Sequence, residues 1–84
     1  MKACPTVVKP GEKVTIENIP GGYYMARFQN ITSALIYRSG FTVINEKSKI
    51  ELPKKQLPFG IYYLVIEKDG RQLPGAKKII ISNN

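Results

Sequence analysis

Residues 61–71 read Ile61-Tyr62-Tyr63-Leu64-Val65-Ile66-Glu67-Lys68-Asp69-Gly70-Arg71, and this stretch decides the fold. Its opening run, Ile61 to Ile66, is β-branched, aromatic or aliphatic without a break, which is the pattern of a central strand covered on both faces. Asp69-Gly70 then supplies a turn of the kind that joins hairpin strands. Downstream, Lys77-Lys78-Ile79-Ile80-Ile81-Ser82 reads as the final strand. Upstream, Lys13-Val14-Thr15-Ile16-Glu17 alternates polar and apolar residues between Pro10-Gly11 and Pro20-Gly21-Gly22. The aromatic run Tyr23 to Phe28 ends at Asn30, and Lys49-Ile50-Glu51-Leu52 alternates again before Pro53. Between them, Ser33 to Arg38 and Phe41 to Ile44 read as separate strands joined by a tight turn at Ser39-Gly40. Almost nothing between the turn signals has helical period, and a parallel sheet would need crossovers of about a dozen residues. The expected fold is all-β: a single antiparallel, Ig-like β-sandwich of about seven to eight short strands spanning residues 1–84.

At 84 residues the chain has room for one core. Domains this small bury only about 60–65% of their unfolded surface, so nearly every apolar run must be structural. An apolar fraction of 43% is too high for a disordered tail. No run approaches the roughly 18 apolar residues of a membrane-spanning helix.

The chain contains no histidine or tryptophan, and Asp69 is its sole aspartate. Ser-His-Asp and Cys-His catalysis, histidine metal sites and aspartate dyads are excluded together. The glutamates lie on alternating strands near lysine or arginine, where solvent keeps a carboxylate from the apolar pocket that a general acid needs. Pro20-Gly21-Gly22-Tyr23 lacks the Gly-Lys-Ser/Thr of a phosphate loop and reads as a turn. Asn30-Ile31-Thr32 matches the short glycosylation pattern, which has meaning only in a glycosylating host. Cys4 has no second cysteine to bond and no histidine to activate it, so it reads as a small buried apolar residue. The chain is expected not to be an enzyme and to need no cofactor or metal.

Thirteen Lys and Arg against six Asp and Glu give a net charge of +7, but the cations are scattered. They read as a solvated exterior with lysines guarding strand edges. Eight aromatics beside that charge leave open a small basic β-barrel that stacks single-stranded nucleic acid, with Tyr23, Met25 and Arg27 as its platform. An Ig-like accessory module of a surface enzyme is a further alternative. No specific nucleic acid is expected as a partner.

Leu57-Pro58-Phe59-Gly60-Ile61-Tyr62-Tyr63-Leu64-Val65-Ile66, together with Lys77-Lys78-Ile79-Ile80-Ile81, resembles a known family. These segments are similar to the end of the type A C-terminal sorting domain of the type IX (Por) secretion system. There a Leu-Pro-x-Gly-x-Tyr segment enters a hydrophobic strand, a turn follows, and a Lys-Lys-Ile/Val strand closes the protein. Cys4-Pro5-Thr6 stands where a Pro-Asn-Pro is common, and Lys9-Pro10-Gly11-Glu12-Lys13 leads into the first alternating strand. The Asn of that motif is absent, and Tyr37-Arg38-Ser39-Gly40 replaces an Asp-x-x-Gly-Lys turn.

The resemblance implies a secretion signal at the C-terminus of a larger secreted cargo. Its implied partners are an outer-membrane translocon or shuttle protein and a cell-surface sortase that removes the domain. Its implied route runs through periplasm and outer membrane to the surface or medium. Recognition would fall on Pro58, Gly60, Tyr62, Lys77 and Lys78. Met1-Lys2-Ala3-Cys4-Pro5 has no apolar signal-peptide core, which fits a piece of a longer protein whose leader lies upstream, or else a cytoplasmic chain. The Lys-Lys-Ile strand stops at Ile81, close to Asn84, and a sorting domain must end its protein. Independently of the resemblance, Gly60 follows Pro58-Phe59 and precedes an apolar strand, so it is expected at a positive φ.

Overall fold

Alternating side chains place one apolar face on each strand, and those faces close on each other as two sheets. The computed structural model describes residues 1–55 and 57–82; Gln56, Asn83 and Asn84 lie outside the described residues. In chain order the strands are β1 (Lys2–Cys4), β2 (Val7–Val8), β3 (Lys13–Glu17), β4 (Gly22–Gln29), β5 (Leu35–Val43), β6 (Lys47–Glu51), β7 (Gly60–Lys68), β8 (Arg71–Gln72) and β9 (Lys77–Ile81). A three-stranded sheet has the order β1-β3-β6, and a six-stranded sheet has the order β2-β9-β7-β4-β5, with β8 added to the end of β7. No helix occurs among the described residues. The fold is a β-sandwich, and the two- and three-residue strands β1, β2 and β8 bring the total to nine.

The core lies between the sheets. Val14 and Ile16 of β3 and Ile50 of β6 point inward from one sheet. Tyr24, Ala26 and Phe28 of β4, Tyr62, Leu64 and Ile66 of β7, and Ile79 and Ile81 of β9 meet them from the other. Truncating one of these large side chains to alanine costs about 2–5 kcal/mol, because little can collapse into the space it leaves.

Four expectations are corrected. The sandwich is not wholly antiparallel: Val7 and Val8 of β2 pair parallel to Ile80 and Ile81 of β9. No local crossover is needed, because nearly the whole chain intervenes between these strands. Ser39-Gly40 is not a turn but the middle of β5, which runs unbroken from Leu35 to Val43. Gly40 lies in an edge strand beneath the ring of Tyr23; a Cβ built there would sit 2.7 Å from Tyr23 Cζ. β7 is central, between β9 and β4, yet its outer face is open at Ile61 and Tyr63. Tyr62, Leu64 and Ile66 of the run face the core, whereas on the outer face Val65 is covered and Ile61 and Tyr63 are open. The alternative of a closed barrel is set aside, since β2 and β5 end their sheet unjoined to β1 and β6. Cys4 is half-buried in β1 rather than fully enclosed.

Asp69 and Gly70 both have positive φ, 52° and 78°, and their turn pairs Lys68 with Arg71. Asn45 and Glu46 repeat this geometry, at 56° and 62°, in the turn that carries the chain from β5 across to β6. Both turns bring the right-handed twist that hairpins require.

Candidate functional site

The segments that carry the family resemblance meet on the six-stranded sheet. β7 and β9 are antiparallel neighbours, with Ile61 opposite Ile80, Tyr62 opposite Ile79 and Tyr63 opposite Lys78. Successive residues of a strand face opposite sides, so these pairs divide cleanly. Tyr62 and Ile79 enter the core, while Ile61, Ile80, Tyr63 and Lys78 share the outer face. Parallel pairing to β9 places Val7 beside Ile80 on that same face. Val7, Ile61 and Tyr63 are 53%, 44% and 38% exposed. Large apolar side chains gathered on one face, with the Lys78 ammonium at their margin, form a surface suited to protein recognition.

Pro58, Gly60 and Tyr62 have a different role in the fold. Tyr62 is 4% exposed, and its hydroxyl donates to the Pro58 carbonyl oxygen at 2.6 Å. A tyrosine at the start of a strand bonded back to backbone upstream is a tyrosine corner, a device of Ig-type sandwiches. Burial pushes the Tyr62 phenol above its ordinary pKa, because the apolar surroundings disfavour the phenolate. Gly60 has φ 151°, as expected from its sequence context, and a Cβ there would meet nothing within 4 Å. Any other residue would therefore suffer through its backbone alone, at a cost of about 1–3 kcal/mol. Of the residues singled out in the sequence, only Lys78 belongs to the exposed patch. Lys77 is half-buried on the opposite side of β9, where it is in register with the core residue Leu64.

Ile61, Tyr63, Ile80 and Val7 complete the patch, and sequence reasoning did not select them. The alternation of β7 separates Tyr62 from Tyr63, so half of the patch was accessible from period alone. Val7 was not, because only the β2–β9 pairing brings it there.

A second region of the same face holds the aromatic platform considered from sequence. Tyr23 is 62% exposed and lies over Gly40. Arg27, however, gives its guanidinium to Glu67 at 3.0 Å, so its charge is already met. A shallow groove of about 210 Å³ runs here among Tyr23, Met25, Arg38, Glu67 and Asp69. Among the described residues no three His, Cys, Asp or Glu side chains come together as metal ligands. Comparison with protein families and with curated proteins finds no match to this chain.

Proposed function

We propose that this chain is a C-terminal sorting domain, read by the outer-membrane machinery of the type IX (Por) secretion system and removed by a cell-surface sortase. The observation that supports the reading is the exposed patch of Ile61, Tyr63, Lys78, Ile80 and Val7. Four of its five members come from the two segments that resemble the family, and those segments lie side by side as β7 and β9.

The domain acts by being recognised. Aromatic and aliphatic side chains desolvate against a complementary partner surface, and Lys78 sets orientation by pairing with an acceptor there. The Tyr62 corner and the inward-facing Ile79 and Ile81 hold the patch in shape without touching the partner. Cleavage belongs to the sortase, so the domain needs no catalytic group of its own.

The experiment is the fate of a cargo fused ahead of residues 1–84 in a bacterium carrying this machinery. Cargo appearing outside the cell with the domain removed is the expected outcome. Intact fusion held in the periplasm contradicts the proposal.

A further inference from the structure

The two sheets end in four strands, and three of these are blunted. β2 has two residues between Pro5 and Pro10, and β1 stops at Pro5 after three. β6 carries Lys47 and Lys49. Short length, proline and lysine are the usual guards against strand addition. β5 is long and has neither proline nor lysine; its one exposed cation is Arg38, and past the register shift at Ile36 the stretch Tyr37–Val43 pairs regularly with β4. It runs nine residues, Leu35 to Val43, and pairs only with β4 among the described residues. Alternate N–H and C=O groups of an edge strand point away from its sheet.

The charge on this edge is also unbalanced. Arg27 and Arg38 stand directly opposite each other on the outer face, a like-charge pair. Glu67 takes Arg27, whereas exposed Arg38 has no carboxylate at ion-pair distance among the described residues. On the other side of β5, half-buried Tyr37 and Ser39 form an open rim of the core.

We propose that the free edge of β5 is a strand-addition site for an extended, acidic segment of a partner protein. Main-chain hydrogen bonds supply the affinity, and alternate side chains supply the selection. Acidic residues of the incoming strand lie on the outer face beside Arg38, and small apolar ones face the Tyr37–Ser39 rim. A second copy of this chain fits less well, because it brings another +7 to a face that already has an unmatched cation. The site lies beyond β4 from the Lys78 patch, and the inference goes beyond the sorting reading and does not depend on it.

The test uses a capped, alternating glutamate–valine peptide of about seven residues, a length suited to pairing along one strand. Backbone amide resonances of the domain are followed by NMR as peptide is added. Shifts concentrated at Leu35–Val43 are expected, and methylating alternate peptide amides should abolish them. Arg38→Glu, an exposed change that leaves the fold intact, should weaken binding about tenfold. The proposal is overturned if β5 amides do not respond, if the methylated peptide binds equally, or if Arg38→Glu has no effect. It is also overturned if sedimentation shows that the domain alone dimerises through β5, since the edge would then be filled by a second copy.

Discussion

Tyr24 and Tyr62 make the same hydrogen bond: each phenol donates to the carbonyl oxygen of the proline four residues upstream, Pro20 at 2.7 Å and Pro58 at 2.6 Å. The flanking sequences match, as Ile19-Pro20-Gly21-Gly22-Tyr23-Tyr24 and Leu57-Pro58-Phe59-Gly60-Ile61-Tyr62. Ile19 and Leu57 are both buried, and Gly22 and Gly60 have φ of 147° and 151°. Each corner carries the chain from one sheet to the other, β3 into β4 and β6 into β7. β3 pairs antiparallel with β6, and β4 with β7, so the unit occurs twice in opposite orientations. The corners therefore sit at opposite ends of the sandwich.

Removing either hydroxyl should cost about 1 kcal/mol, the net worth of a hydrogen bond made by a largely buried group. Tyr24→Phe and Tyr62→Phe, measured by urea unfolding, should each show this loss. Because the sites share no partner, the double variant should lose the sum to within about 0.5 kcal/mol. A strongly non-additive double variant would mean that the corners do not act independently.

The Tyr62 corner also predicts a pH dependence. Its folded-state pKa is raised above the ordinary value of 10.0 by burial. Below the unfolded pKa both states hold the proton, and the full contribution to stability is present. As pH rises through that value the unfolded chain ionises first, so stability falls until the folded pKa is passed. The advantage of the native protein over Tyr62→Phe should shrink between about pH 8 and about pH 11. An advantage that stays constant across this range would show that burial does not couple the phenol to folding.

Much of this architecture was legible before the structure. Strict alternation located β3 and β6, Asp69-Gly70 located its turn, and the proline-to-glycine spacing located the positive φ at Gly60. Gly40 misled, because glycine after serine resembles a turn, and a glycine under an aromatic ring in an edge strand has the same local signature. The parallel β2–β9 pair joins opposite ends of the chain and leaves no local trace. For the same reason only part of the exposed patch could be read: Lys78 was selected, but its neighbour Val7 comes from the far end of the chain.

Gly40 and Tyr23 give a double-variant test. Gly40→Ala should destabilise the native protein by about 0.5–1 kcal/mol, because the added methyl must displace the Tyr23 ring. In a Tyr23→Ala background the same change should become neutral or favourable, since glycine is a poor strand residue. Thermal unfolding of the four proteins reads the coupling. Equal effects in both backgrounds would show that the ring does not rest on Gly40 in solution.

The central claim is that the Lys78 surface directs secretion, and its most direct measurement is where a reporter carrying a signal peptide and residues 1–84 accumulates. The fusion is compared in two strains that differ only in the type IX translocon. With the translocon, the account predicts reporter at the cell surface or in the medium, and without it reporter in the periplasm. The variant Lys78→Ala, which removes an exposed side chain and should fold within about 1 kcal/mol of the native domain, is predicted to remain periplasmic in both. Secretion of that variant at the native level would remove Lys78 from the signal. An unmutated fusion distributed identically in the two strains would contradict the sorting-domain account itself.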